Sequence, residues 1–268
     1  MTLNNDLWSV DDLKCKHLNM RAYFYILNPW SPNDPELMLN MNDTNQEKTL
    51  AMSRLERERE EMKEKRRHDI LSAAEKLFLS QGFDEATMQD IADEAEYSKG
   101  TLYNYYKSKD ELYIAIGSKA YRLIIEYTKE FTEKEKAGIK QIMAIGYAYY
   151  EFTKKYPDYA SIFHDIAVKF PDITVKPKSK LSLIEKEYLS LSNSYRDIFI
   201  KILSDAMKDK AIRADKNPNM IGYVLSTVTR GIVEDLSQSE NVVKRLGLNS
   251  DEIIDFIFEI LGDGLKPR

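Results

Sequence analysis

Apolar residues recur at three- and four-residue intervals along most of the chain. Ile70, Ala74, Leu77 and Phe78 form one such face, and Leu112, Ile116, Leu123 and Tyr127 form another. Positions spaced this way share one side of an α-helix. No segment alternates apolar and polar as a half-buried strand would, and there is no internal repeat of about 20 to 50 residues. The expected fold class is all-α. Start and stop signals place short helices over 67–80, after Thr87 for about two turns, and from Ser98 to about Tyr105. Longer ones follow over 109–131, 136–155, 157–168, 180–210, 217–238 and 250–262. Gly82 suits the left-handed cap after the first of these. The hydroxyls of Thr87, Ser98 and Ser108 are placed to accept free backbone N–H groups at helix starts.

Two segments break the pattern. Residues 1–50 scatter aromatic residues among asparagines and carry Pro29, Pro32 and Pro35, which prevent a continuous helix. They are expected to fold weakly or not at all on their own, either as an aromatic arm or as a stretch upstream of a true start at Met41 or Met52. From Ser53 to Arg67 basic and acidic residues alternate. This predicts a solvated helix supported by pairs such as Glu61 with Lys65, each contributing about 0.2–0.5 kcal/mol. Lys63, Lys65, Arg66 and Arg67 at its end could also meet phosphate.

The 268 residues carry 39 Lys and Arg against 44 Asp and Glu, a formal net charge of −5, with 43% hydrophobic residues. That balance supports a packed core and excludes a disordered or fibrous chain. Cys15 is the single cysteine, so neither an intrachain disulfide nor a cysteine-based zinc cage can form, and a reducing cytoplasm fits best. No stretch reads as a membrane span or a signal peptide. His17, His68 and His164 are far apart, with no HExxH, GxSxG or phosphate-cradling glycine loop beside them. No catalytic constellation, metal or cofactor is therefore expected.

Charge is unevenly placed. Asp84 to Glu96 contains six acids, whereas Tyr97 to Lys109 contains none and holds Lys99, Lys107 and Lys109 with Tyr97, Tyr103, Tyr105 and Tyr106. Two short helices joined by Ala95, Glu96 and Tyr97 match helix-turn-helix geometry, with Ala92 small at the crossing and Leu102 inserted into the core. An acid-free second helix suits a DNA backbone, where ammonium groups neutralise phosphates and hydroxyls fix the register.

Arg67 to Tyr113, RHDILSAAEKLFLSQGFDEATMQDIADEAEYSKGTLYNYYKSKDELY, resembles the DNA-binding segment of the TetR family of transcriptional regulators. The likeness rests on the AAEKLF helix, the GF turn, DIA, SKGTLY and YKSKDEL. It implies a three-helix N-terminal domain, a larger helical C-terminal domain for effector binding and dimerisation, and a homodimer on double-stranded DNA with inverted half-sites. The division implied is 51–110 for DNA and 111–268 for a small-molecule effector and the partner subunit. By position, the resemblance assigns Thr87, Ser98 and Lys109 to phosphates, and Lys99, Gly100, Thr101 and Tyr103 to the recognition helix. Tyr105 is expected against the DNA backbone and Tyr106 in the core. Glu96 stands where the family often has glycine, so the turn is expected to differ slightly there.

The remaining residues carry no motif, but they are rich in tyrosine and phenylalanine. Tyr147, Tyr150 and Phe163 are the first candidates for a ligand pocket. The rows Ile221, Val224, Leu225, Val228, Ile232 and Ile253, Ile254, Ile257, Phe258, Leu261 are wider than one buried stripe needs, which predicts a four-helix interface between subunits. The function expected is a repressor released from its operator by a small molecule. The alternative is a DNA-binding regulator whose second domain binds a protein partner and no small ligand.

Overall fold

The computed structural model describes residues 54–267, so the expectations for residues 1–50 lie outside the described residues. The described residues form α-helices and short 3-10 turns, without a strand. They divide into two compact units, one ending at Tyr105 and the other starting at Tyr106.

The first unit holds α1 (Arg54–Gln81), α2 (Met88–Glu94) and α3 (Lys99–Tyr105). The charged run and the first amphipathic helix, expected as separate pieces meeting near Arg67, are one continuous helix. Neither Gly nor Pro interrupts them, so the hydrogen-bond ladder has no reason to break. α1 stops where Gly82, at φ +90°, donates its N–H to the Phe78 carbonyl at 3.0 Å. Ile70, Ala74, Ile91, Ala92 and Leu102 are fully buried and close the centre of this unit, and Phe78 packs on Phe83 at 5.5 Å between ring centres.

The second unit is built around α4 (Lys109–Glu133), which packs against α5 (Ile139–Lys155), α6 (Pro157–Lys169) and α7 (Leu183–Lys208). It continues through α8 (Pro218–Gln238), α9 (Glu240–Arg245) and α10 (Ser250–Leu265). The helix expected over 136–155 begins three residues later because Gly138 takes φ +103°, outside helical space. The one expected over 180–210 is preceded by a 3-10 turn, Lys178–Lys180, and starts at the Ser182 and Glu185 capping box. α9 has no counterpart among the expected helices.

Two glycines set close crossings in this unit. A Cβ on Gly117 of α4 would strike the Ile166 side chain of α6 and approach Tyr188 of α7 to 3.0 Å. One on Gly146 of α5 would meet the Phe258 ring of α10 at 2.5 Å. Arg122 of α4 pairs with Glu187 of α7 inside the unit, and the Tyr113 hydroxyl donates to Asp165 of α6 at 2.7 Å.

α8 and α10 also carry a face that nothing in the described chain covers. Met220, Tyr223 and Val224 are exposed on α8, the tyrosine to 73%, and Phe256 and Ile260 on α10 to 61% and 53%. Positions 220, 223 and 224, and likewise 256 and 260, recur at helical spacing, so each set forms a stripe.

Candidate nucleic-acid interface and interior cavity

α2 is started by a capping box. The Thr87 hydroxyl accepts from the Asp90 N–H at 3.2 Å, and the Asp90 carboxylate accepts from the Thr87 N–H at 3.0 Å and from its hydroxyl at 2.7 Å. These bonds to Thr87 hold the Asp90 carboxyl below its ordinary value. α3 is capped by Ser98, whose Oγ accepts from the Thr101 N–H at 3.1 Å and shares a hydrogen bond with the Thr101 hydroxyl at 2.9 Å. The hydroxyls of Thr87, Ser98 and Thr101 are thus all engaged within the fold.

The turn between α2 and α3 closes through Tyr97 N–H to Ala92 O at 2.9 Å and Glu96 N–H to Asp93 O at 3.1 Å. Glu96 sits at φ +59°, so this turn keeps the left-handed conformation that glycine would favour, and the expected change of turn shape does not occur. The three hydrogen bonds that surround it, including Ala95 N–H to Ile91 O, hold the residue there. Tyr97 donates its hydroxyl to Asp69 of α1 at 3.0 Å, and Lys76 of α1 pairs with Glu94 of α2 at 2.6 Å. Burial first, then the bond to Asp69, raises the Tyr97 phenol above its ordinary value. One of the four tyrosines of the acid-free stretch therefore braces the turn.

With the turn fixed, α3 buries Leu102 and exposes Lys99, Gly100, Tyr103 and Asn104; Thr101 and Tyr105 are half-buried. A Cβ at Gly100 would meet nothing nearer than Ser98 Oγ at 3.9 Å, so the fold itself does not require glycine there. In the second unit, Tyr106 is buried at 1%, as expected of a core residue. Lys109 is the first residue of α4, half-buried, next to the Ser108 cap that accepts from the Glu111 N–H at 3.2 Å.

The second unit encloses a partly open cavity of about 160 Å³ among α4, α5, α6, α7, α8 and α10. Six aromatic rings line it: Tyr121, Tyr149, Phe163, Tyr195, Phe199 and Phe258. Tyr121 on α4 packs on two of them, Phe163 at 4.7 Å and Tyr195 at 6.2 Å between ring centres, and on Tyr188 behind the wall at 5.2 Å. Burial raises the Tyr149 phenol to about 12, assisted by Glu234 and opposed by Arg230. Burial likewise pushes Tyr195 well above its ordinary value.

Of the three pocket candidates, Phe163 lines this cavity and the other two do not. Tyr147 donates to Asp255 at 2.6 Å and Tyr150 to Asp251 at 2.7 Å, which ties α5 to α10 running in the opposite direction. Their phenols are spent on that tie, and the face of α5 that reaches the cavity is instead the one with Ile142, Ile145, Gly146 and Tyr149. Aromatic content marked the right helices; choosing the face needed the partner helices. Asp251 and Asp255, four apart on α10, were the available signal for a paired tie to Tyr147 and Tyr150. Arg230 and Thr229, also on the cavity wall, had no sequence signal.

A short second helix held by a left-handed turn, with its basic and phenolic side chains outward, defines a helix-turn-helix protein, here joined to a helical unit with an interior cavity. The profile of bacterial regulatory proteins of the tetR family matches residues 70–116. Through these residues the chain is similar to the TetR family of transcriptional regulators. It is 49% identical over 49 residues to the HTH-type transcriptional regulator HbdR of Aromatoleum sp. (strain CIB), covering 18% of this chain and 21% of that protein. It is 27% identical over 117 residues to the HTH-type transcriptional activator FasR of Mycolicibacterium smegmatis (strain ATCC 700084 / mc(2)155), covering 43% of this chain and 53% of that one. The matches thus span from about a fifth to about half of these two relatives. The transcriptional regulator FadR of Bacillus subtilis, solved with stearoyl-CoA, shares the fold at TM-score 0.54 and 15% identity over 74% of this chain and 98% of that one.

Proposed function

We propose that the protein regulates transcription by binding duplex DNA through α3, as a homodimer in the cytoplasm, and that a small molecule in the interior cavity releases it from its operator. The observation that carries this reading is the outward face of α3. Lys99, Gly100 and Tyr103 are exposed together on a helix braced from behind by Leu102, in a stretch without one carboxylate. A cation and a phenol so held can meet phosphate and base edges of the major groove. The open space at Gly100 supports the same reading, since a close-approaching partner gives a reason for glycine where the fold gives none.

Thr87 and Ser98 contribute by exchange. Each hydroxyl is engaged at its own helix start, and a phosphate competes with Asp90 or Thr101 for it. Thr101 serves mainly to set the start of α3, Tyr105 lies along the DNA backbone, and Lys109 meets phosphate from the start of α4. Residues 51–110 serve DNA, and 111–268 serve the effector and the partner subunit. α4 lines the cavity through Tyr121 and Ile124, and only residues 106–108 connect it to α3. A ligand that prefers one placement of α4 therefore changes DNA affinity by its differential affinity for the two states. The exposed stripes on α8 and α10 supply the subunit interface.

A partner protein in place of a small molecule is the second reading, and the enclosed aromatic cavity favours the ligand. The bound stearoyl-CoA of the Bacillus subtilis FadR supports ligand binding in this fold, while the activator name of FasR makes activation the alternative output to repression.

The test is binding of fragments selected from the source genome, followed across salt. Lys109→Ala should weaken every sequence alike and lower the salt slope by about 1. Lys99→Ala and Tyr103→Phe should also change which fragments are preferred. Equal binding by all four proteins at every salt concentration would refute the interface.

A further inference from the structure

Resting on the reading of the cavity as the effector site, we infer that its ligand is a compact one- or two-ring aromatic carrying an acidic group, and neither a cation nor a long-chain conjugate. Size is the first constraint. A volume of about 160 Å³ is close to the cavity of about 150 Å³ that admits benzene in another protein, so one or two rings fill it. The wall is the second. Six rings offer faces and edges to an aromatic guest, with Leu225, Leu261 and four isoleucine or methionine side chains between them.

Charge decides the head group. Among the lining residues no carboxylate or lysine occurs, and Arg230 is the one charged side chain. Arg230 and Ser226, four apart on α8, are also the only exposed lining residues, so they mark the open side of the cavity in the single chain. An acid held there keeps its charge at the mouth, against a guanidinium suited to two parallel hydrogen bonds, while the rings enter the apolar interior. Glu234, one turn further along α8, acts on the Tyr149 phenol but does not line the cavity. Aromatic faces attract cations as well, yet here a cation would share the mouth with Arg230 and find no carboxylate on the wall. The buried Thr128 hydroxyl lies against the Tyr195 phenol of the wall, so polar groups reach the edge of the ring-binding space.

The test uses the full chain and calorimetric titration with four probes: 2-naphthoate, 2-naphthol, (2-naphthylmethyl)trimethylammonium and lauroyl-CoA. Naphthoate should bind tightest, and Arg230→Gln should weaken it roughly tenfold while changing naphthol less than about twofold. Arg230 is exposed, so the variant should keep the circular dichroism spectrum and melting temperature of the parent. Tighter binding of the ammonium probe or of lauroyl-CoA, no probe binding at all, or an unchanged naphthoate affinity in Arg230→Gln would overturn the inference. DNA binding measured separately, without probe, keeps the outcomes apart. Protein that binds DNA but no probe loses this inference and retains the regulator reading, and the converse result does the opposite.

Discussion

Glu96 shows what a single position contributes. Its φ of +59° places a side chain in a region that costs a residue with Cβ roughly 1 kcal/mol relative to glycine, and the turn between α2 and α3 accepts that cost. Glu96→Gly should therefore raise the melting temperature by a few degrees in a thermal unfolding scan, and a fall would show that its side chain makes a favourable contact. Tyr150 and Asp251 give the pH dependence. The hydrogen bond from Tyr150, with help from Lys154 and against burial, holds the Asp251 carboxyl below its ordinary value. A carboxyl lowered in the folded state stabilises above its unfolded pKa, and that contribution is lost as pH falls through the folded one. Stability should thus drop below about pH 4, and Tyr150→Phe should flatten that part of a denaturant-midpoint against pH profile. The hydroxyl caps at Thr87, Ser98 and Ser108 were legible because each is local, reaching three residues along the chain. The phenols of Tyr147 and Tyr150 were not, because their partners lie about a hundred residues away.

Among elements, the crossings of α4 with α6 and α7 depend on the missing side chain at Gly117. Gly117→Ala would drive a methyl into Ile166 and against Tyr188, and it should cost about 1–3 kcal/mol in urea unfolding. An equal midpoint would mean that these helices move apart freely. Helix identity was readable nearly throughout, since the apolar period repeats over many turns and averages out local exceptions. Ends were less so where a backbone angle decides, as at Gly138, whose φ of +103° shortens α5. The continuity of α1 through Arg67 was missed for a related reason. A change from apolar periodicity to alternating charge is a change of environment, and it leaves the backbone ladder intact. α9 is six residues long, too short for periodicity to reveal.

At the scale of the whole molecule, the uncovered stripes of α8 and α10 are the proposed seat of a second copy. Sedimentation equilibrium at micromolar protein should give a dimer, and Tyr223→Glu with Phe256→Glu should shift it to monomer, since both side chains are exposed in the single chain and neither supports its core. A monomer in the parent would remove the interface from the account. The paired arrangement proposed for α3 rests on that dimer, whereas the DNA binding proposed for α3 rests on residues 97–105 alone. The helix-turn-helix itself was the most legible part of the sequence, because caps, turn, charge and core positions all fall within a few dozen residues. The cavity was the least legible, because six helices far apart in sequence each bring a few side chains to it.

The most direct measurement is fluorescence anisotropy of the full chain with fragments selected from its own genome, followed as salt rises. Fragment binding should tighten steeply at low ionic strength, and Lys99→Ala should both weaken it and blur the preference among fragments. Protein that is folded yet leaves every fragment free at low salt would contradict the central claim.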